Sequence, residues 1–293
     1  MVVNLLIGLL LAGLIALAAY RAGSLDRSGA MAATVLGTLI FGLGGLGWAV
    51  LLLTFFISSS LLSRLFGRRR PGVAENYAKG SRRDAWQVIA NGGAAGVFVL
   101  LHAFFPIASW PWIGAAAALA AANADTWATE LGVLSPSAPR LITSGRKVEM
   151  GASGGVTPTG TLAALGGAAL VALFAALLWR GYTGLTLVGV PFNLADLLGV
   201  SPVEFSAGQR LAWFALISLA GLAGSLVDSL LGASLQAVYV CPACAKETER
   251  HPLHSCGTPT VFSRGLRWMT NDWVNLLCTL SAALLATLVW FAR

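Results

Sequence analysis

The sequence predicts an all-α integral membrane protein, a single polytopic helix bundle of about seven to eight membrane-spanning helices over residues 1–293. Its composition is the first reason. Hydrophobic residues make up 57% and charged residues 11%, whereas about a quarter of the residues in a soluble domain are charged. The second reason is a series of apolar runs of roughly 18 to 22 residues, the length that a helix needs to cross the hydrocarbon core.

The apolar runs indicate where each helix lies. The first has no basic residue before it and no small-residue cleavage site after it, so we interpret it as a membrane span rather than a cleaved signal peptide. The second is short, and a glycine-rich break at 42–47 separates it from the third, which leaves the helix count in 29–66 open. The predicted spans are 2–20, 29–42, 45–66, 86–105, 111–132, 159–180, 211–236 and 271–291.

The basic residues lie mainly on alternate loops, which carry 16 of the 19 Lys and Arg. The positive-inside rule therefore places these loops in the cytoplasm and both termini outside. We expect the membrane to be the plasma membrane of a bacterium. This topology explains the net charge of +7 without a nucleic-acid partner. The 16 residues are Arg21, Arg27, Arg64, Arg68, Arg69, Arg70, Lys79, Arg82, Arg83, Arg140, Arg146, Lys147, Lys246, Arg250, Arg264 and Arg267. Arg180, Arg210 and Arg293 lie on the opposite side.

A polar stretch follows the fifth apolar run. On a helix, its polar side chains fall within a sector of roughly 160°. Carboxylates at membrane depth are costly and usually face a partner, a cavity or an ion. Two carboxylates, an amide and two hydroxyls favour a hard cation such as Mg²⁺. The alternative is an interhelical hydrogen-bond seam. The residues are Asn123, Asp125, Thr126, Thr129 and Glu130.

The seventh span contains a second intramembrane acid, Asp228, within a stripe of small and polar residues that includes Ser225. Small residues allow a neighbouring helix or a ligand to approach closely. Helix packing explains the glycines and serines of this stripe, but it does not explain the carboxylate. Asp228 is therefore a second candidate ligand.

Polar residues also open two other spans. Asn271, Asp272 and Asn275 share one face at the start of the eighth span, where helix capping uses only one of them. In the fourth span, Asn91 precedes two glycines. A glycine pair inside a helix is unfavourable unless another group approaches the backbone. Helix packing and ligand approach explain it equally well.

The segment 144–160, before the sixth span, combines two cations with a cluster of glycines. Backbone N–H groups, a helix N-terminus and fixed positive charge are the components of a phosphate site. The segment is not a P-loop, because no Gly-Lys-Ser/Thr follows the glycines. The candidate phosphate-binding residues are Arg146, Lys147, Gly151, Gly154 and Gly155.

The insert at 237–270, predicted as a cytoplasmic loop, carries three of the four cysteines. Cys241, Cys244, His254 and Cys256 are ligand types suited to a structural Zn²⁺ site. A reducing cytoplasmic location argues against a structural disulfide. Free thiols and a redox role are the alternatives.

These motifs resemble one integral-membrane family, which includes plant phytyl-phosphate kinase and bacterial and animal relatives. The resemblance implies transfer of a phosphoryl group from a nucleoside triphosphate to an isoprenoid monophosphate in the membrane lipid, giving the diphosphate. The matching segments run in order along most of the chain. They are Ser28-Gly29-Ala30, Asn91-Gly92, 123–132, Gly154-Gly155-Val156, 224–233 and 271–275.

The resulting hypothesis is a Mg²⁺-dependent prenyl-phosphate kinase that works at the cytoplasmic leaflet. Asp125, Glu130 and Asp228 are the predicted Mg²⁺ ligands, and Asp272 is the fourth predicted catalytic acid. An ion-coupled transporter or a lipid flippase is the alternative, since buried acids and glycine-rich helices occur there too. The predicted residues around the metal and the nucleotide are Asn91, Asn123, Thr126, Arg146, Lys147, Gly151, Gly154, Gly155, Ser225, Asn271 and Asn275.

Overall fold

The computed structural model describes residues 2–66, 82–106, 108–179 and 206–292. Within these ranges the chain forms eight long helices, and the predicted spans agree with their ends to within four residues. The helices are α1 (Val2–Arg21), α2 (Arg27–Gly44), α3 (Leu46–Phe66), α4 (Ala85–Phe104), α5 (Trp110–Gly132), α6 (Pro158–Leu178), α7 (Ala207–Ser234) and α8 (Asn271–Phe291). The predicted all-α bundle is therefore confirmed. Some residues named above lie outside the described residues. They are Arg68, Arg69, Arg70, Lys79 and Arg180, together with the predicted outer loop up to residue 205.

Seven of these helices are long and apolar enough to cross a membrane. The eighth, α5, has 23 residues, but polar residues in its C-terminal half lower its hydropathy. The break between α2 and α3 is a turn at Gly45, whose φ of 81° favours glycine. The predicted hairpin at 29–66 therefore consists of two separate helices, α2 and α3.

Helix α5 is the centre of the bundle and packs against α3, α4, α6, α7 and α8. Ile113 and the alanine-rich run 115–122 are almost completely buried. Small residues bring its neighbours close, because an added Cβ at Gly221 would lie 2.8 Å from Ala120 Cβ. Asn123, which follows this run, therefore meets other helices rather than lipid.

One end of the bundle, here called the basic end, carries every described Lys and Arg except Arg210. Residues 133–157 connect α5 to α6 at this end, and they include a two-stranded antiparallel ladder of β1 (Arg140–Leu141) and β2 (Gly155–Val156). Thr157 then caps α6 by accepting a hydrogen bond from Gly160 N.

The segment 237–270, predicted as a loop, contains a small antiparallel sheet with strand order β4-β3-β5. Its strands are β3 (Val238–Cys241), β4 (Lys246–Thr248) and β5 (Val261–Arg264). Arg264 attaches this sheet to the end of α7 by donating to the backbone oxygens of Gly232 and Ala233. The sheet therefore sits directly on the basic end.

Candidate functional site

A cavity of about 120 Å³ lies at the basic end between α5, α6 and α7. The rest of its wall is formed by Val133, Pro139 and the segment 150–157 between α5 and α6, by Gln236 after α7, and by one residue of the insert. Of the predicted site residues, Asp125, Gly151, Gly154, Gly155 and Ser225 line it. The other polar residues of the wall are Thr129, Ser153, Thr157, Thr161, Ser229, Gln236 and Glu249.

Two intramembrane acids meet beside this cavity. The carboxyl groups of Asp125 on α5 and Asp228 on α7 lie within hydrogen-bonding range of each other. Oδ2 of Asp228 is buried and has no hydrogen-bond partner among the described residues. The pair is possible because Gly224, one turn before Asp228, packs against Ala121 of α5 and the backbone oxygen of Cys278 on α8. Two adjacent carboxyl groups in a buried place require a proton or a cation between them.

A third acid, Glu249, reaches the same cavity from the insert, and it is absent from the set of site residues predicted from the sequence. Its Oε1 accepts hydrogen bonds from Ser153 Oγ at 2.9 Å and from Gln236 Nε2 at 2.7 Å. Its charge acts on both Asp125 and Asp228. In the sequence Glu249 is one of two glutamates in a polar, charged insert, and no periodic pattern separates it from Glu247. Both glutamates lie between the two halves of the Cys/His motif, so that position does not separate them either.

The glycine segment is held over the end of α7. Gly154 has a φ of 79°, and an added Cβ would lie 2.4 Å from both Cβ and N of Ala233. Only a residue without a side chain fits this approach. The close contact keeps Ser153 and the backbone of Gly155 at the cavity wall.

The two predicted phosphate-binding cations are not in the cavity wall. Arg146 and Lys147 are exposed. They lie in a turn in which Leu141 N donates to Arg146 O, and the backbone of Lys147 forms an antiparallel bridge with that of Arg140. Their role in phosphate binding stays a prediction.

Glu130 does not join Asp125 and Asp228, so the predicted set of three acids is corrected. Its carboxylate accepts a hydrogen bond from Ser63 Oγ of α3 at 2.6 Å and lies near Arg83. Burial lowers the pKa of Arg83 to about 10, and the negative charge of Glu130 limits this decrease. The guanidinium therefore stays protonated at neutral pH. The reason for the error is geometric. A polar sector of roughly 160° covers two different helix interfaces, and Glu249 takes the place predicted for Glu130.

Asn123, predicted to bind the cofactor, forms a seam between helices instead. Its Oδ1 accepts from Ser58 Oγ at 2.8 Å, its Nδ2 donates to Gly167 O at 2.8 Å, and it is fully buried. Thr126 bonds within its own helix to Ala122 O, and Asn91 bonds likewise to Gln87 O. For Asn123 the geometry matches the alternative of an interhelical hydrogen-bond seam, whereas Thr126 and Asn91 bond within their own helices.

Replacing Asn123 with alanine is expected to lower the free energy of unfolding by about 1–3 kcal/mol, because two buried interhelical bonds are lost. Thermal unfolding in detergent measures this change. Thr126→Ala is the matched control, since its hydroxyl bonds only within α5 and its loss costs little. Unchanged stability combined with weaker binding of Mn²⁺, used in place of Mg²⁺, would return Asn123 to the ligand set.

The polar residues at the start of α8 are not among the residues that line the cavity. Asn271, Asp272 and Asn275 occupy the first part of α8 and do not line the cavity wall. Cys278, three residues after Asn275, is buried and close enough to interact electrostatically with both acids of the pair. This face of α8 therefore supports the site from outside the cavity.

The four predicted zinc ligands converge at the tip of the insert. The ligand atoms of Cys241, Cys244, His254 and Cys256 all lie within 4.8 Å of one another. Hydrogen bonding with Thr258 and His254 lowers the pKa of Cys256 to about 5. Hydrogen bonds with Cys256 and Cys241 raise the pKa of Cys244 to about 11. The cluster therefore includes one readily ionised thiol beside two others.

The fold and the site define a polytopic helical membrane protein with an acidic cavity under a glycine segment at its basic end. Residues 10–283 match the family described as "Integral membrane protein DUF92". The chain belongs to this integral membrane family, which confirms the resemblance that its motifs carry.

Two relatives illustrate the similarity. A protein of Arabidopsis thaliana described as "Protein PGR" is 32% identical over 301 residues, covering 97% of this chain and 96% of the plant protein. "Uncharacterized membrane protein MJ0933" of Methanocaldococcus jannaschii is 35% identical over 202 residues, covering 67% of this chain and 82% of the archaeal protein. No solved structure matches the chain.

Proposed function

We propose that this protein is a prenyl-phosphate kinase, which transfers the γ-phosphoryl group of a nucleoside triphosphate to an isoprenoid monophosphate. The observation that carries the proposal is that Asp125 and Glu249 line one cavity beneath a glycine segment, while Asp228 lies beside it, close enough to interact with both acids. Phosphoryl transfer depends on alignment and charge neutralisation rather than on covalent chemistry by the protein. An acidic cavity beside the N-terminus of α6 meets both needs.

The residues present fit a Mg²⁺ ion. Oδ2 of Asp228 is buried without a hydrogen-bond partner, and the carboxyl group of Asp125 lies beside it. Mg²⁺ binds few carboxylates and keeps water and phosphate oxygens as its other ligands. Asp125 and Asp228 would hold the ion, and Glu249 would complete the acidic wall. When bound, Mg²⁺ neutralises charge on the phosphate oxygens.

The chain's own groups supply the rest of the site. The N-terminus of α6, capped by Thr157, brings the positive end of its dipole near the cavity. Hydroxyls of Ser225 and Ser229 line the opposite wall. A phosphate oxygen of the isoprenoid monophosphate attacks the γ-phosphorus, the bond from that phosphorus to the β-phosphate oxygen breaks, and the nucleoside diphosphate leaves. The attacking oxygen is already anionic, so no strong general base is required.

The cavity also borders the outer surface of the bundle. Leu226 of α7 lines the cavity and is 37% exposed, on a helix whose composition suits a membrane span. An isoprenoid tail in the bilayer could therefore bring its phosphate to the acids without leaving the lipid.

We propose that the basic end faces the bacterial cytoplasm, where nucleoside triphosphates are available, and that both termini face outward.

The test is an assay of the purified protein in detergent with Mg²⁺, a panel of γ-labelled nucleoside triphosphates and a panel of prenyl monophosphates. We expect labelled prenyl diphosphate, formed only when Mg²⁺ is present. Absence of diphosphate with every pair, together with ion-driven uptake of a substrate by proteoliposomes, would favour the transporter over the kinase.

A further inference from the structure

The Cys/His cluster lies outside the proposed active site, yet the chain between its ligands enters that site. We propose that Cys241, Cys244, His254 and Cys256 bind one Zn²⁺ ion, and that this ion positions Glu249 at the acidic cavity. Zinc binding itself does not depend on the proposed function, whereas the effect on the acidic cavity rests on it.

The distances between the four ligand atoms suit tetrahedral zinc. Cys256 Sγ lies 3.6 Å from Cys241 Sγ, 3.6 Å from Cys244 Sγ and 3.1 Å from His254 Nδ1. Cys244 Sγ lies 3.7 Å from the same nitrogen. A tetrahedron with Zn–S of about 2.3 Å and Zn–N of about 2.0 Å has edges of about 3.5–3.8 Å. No side chain has to move far to close the site.

The backbone presents the ligands as two facing turns. Cys241 and Cys244 come from the turn between β3 and β4, where Ala245 N donates to Cys241 O. His254 and Cys256 come from a second turn, where Gly257 N donates to His254 O. Two short turns that each contribute two ligands are the usual construction of a structural zinc site.

The insert also needs such a cross-link for its own stability. Its sheet has only three short strands, and the hydrophobic side chains buried in 237–270 are few: Ala237, Val238, Tyr239, Cys241 and Met269. A unit of this size rarely buries enough apolar surface to hold its shape, and a structural metal is a common solution. His254 is 4% exposed although the residues beside it are exposed, which fits a ligand turned inward.

Glu249 lies in the middle of the loop that the ion would close. The chain leaves the cluster at Cys244, runs along β4, passes Glu249 and returns at His254. Closing this loop at both ends removes conformations in which Glu249 lies away from the cavity. The bonds from Ser153 and Gln236 to Glu249 then join the zinc-bound insert to the glycine segment and to α7.

The first test measures the metal content of the full-length protein purified in detergent. We expect about one Zn²⁺ per chain, with most of it lost in His254→Ala and Cys256→Ser. His251→Ala and Cys278→Ser are the matched controls, because His251 stacks on Tyr239 and Cys278 is buried in α8. Far-UV circular dichroism verifies that the bundle is retained. Absence of zinc, or iron alone at the site, would overturn the proposal.

Limited trypsin digestion gives a second readout that is independent of activity. Lys246 and Arg250 lie between the two ligand pairs. Removal of zinc by a chelator should speed cleavage at these two residues by at least about tenfold, because the open loop becomes more populated. Equal cleavage rates with and without zinc would contradict the role of the ion in ordering the loop.

The coupling to the acidic cavity is tested with Mn²⁺ as a probe, followed by electron paramagnetic resonance. We expect zinc removal and Glu249→Gln each to weaken Mn²⁺ binding by roughly tenfold, and zinc removal to add little in the Glu249→Gln background. Glu247→Gln is the control, since its carboxylate pairs with Arg264 and lies outside the cavity. Unchanged Mn²⁺ affinity without zinc would overturn the positioning role. A zinc-bound protein without kinase turnover would overturn only the proposed function.

Discussion

Replacing Asp228 with asparagine is expected to reduce Mg²⁺-dependent formation of prenyl diphosphate by at least about a thousandfold, while the protein still inserts and folds. The substitution keeps the shape of the side chain and removes the charge that faces Asp125. The measurement is turnover in detergent at saturating substrates, together with thermal unfolding of the same sample. Asp125→Asn should behave alike, and the double variant should be little worse than either, because the two acids act as a unit.

Stability separates this expectation from a structural role. Two adjacent buried carboxyl groups cost free energy in the absence of a cation, so Asp228→Asn should leave the unfolding temperature unchanged or raise it. A residue that only joins helices would lose stability instead. Glu149→Gln is the control variant, since this glutamate is exposed in the same connecting segment and does not line the cavity. Near-normal turnover of Asp228→Asn would remove the acid pair from the mechanism.

The helix positions were predictable because all helices except α5 are apolar runs of nearly the length that a membrane requires. The acid pair was predictable for a related reason. A carboxylate at membrane depth is too costly without a partner, so Asp125 and Asp228 each pointed to a nearby cation or cavity. Both predictions depend on the local sequence and on the membrane as a solvent.

The third acid was not predictable in the same way. Glu130 shares the polar sector of α5 with Asp125, but the choice between the α3 interface and the α7 interface depends on how the helices pack. Glu249 lies in an insert where acids are ordinary surface residues. It reaches the cavity only because the small sheet folds back onto the end of α7.

Convergence of the four Cys/His side chains was predictable because metal-ligand spacing is a local property of two short turns. The link between that cluster and the cavity was not. It depends on the path of the chain between Cys244 and His254, which no spacing rule describes.

Replacing Gly154 with alanine is the second change with a large expected effect. The added Cβ would lie 2.4 Å from N and 2.5 Å from Cα of Ala233, both backbone atoms of α7 that cannot move aside easily. The positive φ adds about 1–2 kcal/mol of strain, and the overpacking adds about 1–3 kcal/mol. The glycine segment should therefore lift off α7, and Ser153 should move away from Glu249.

Turnover of Gly154→Ala is expected to fall by roughly a hundredfold, because a displacement of this size misaligns the phosphate-binding backbone. Gly145→Ala is the matched control. It carries the same kind of positive φ, at 68°, but an added Cβ has nothing within 4 Å. It should show the backbone strain alone, as a lower unfolding temperature with turnover largely retained. If the two variants lose turnover equally, the contact between Gly154 and α7 does not position the site, and strain in the segment explains the loss.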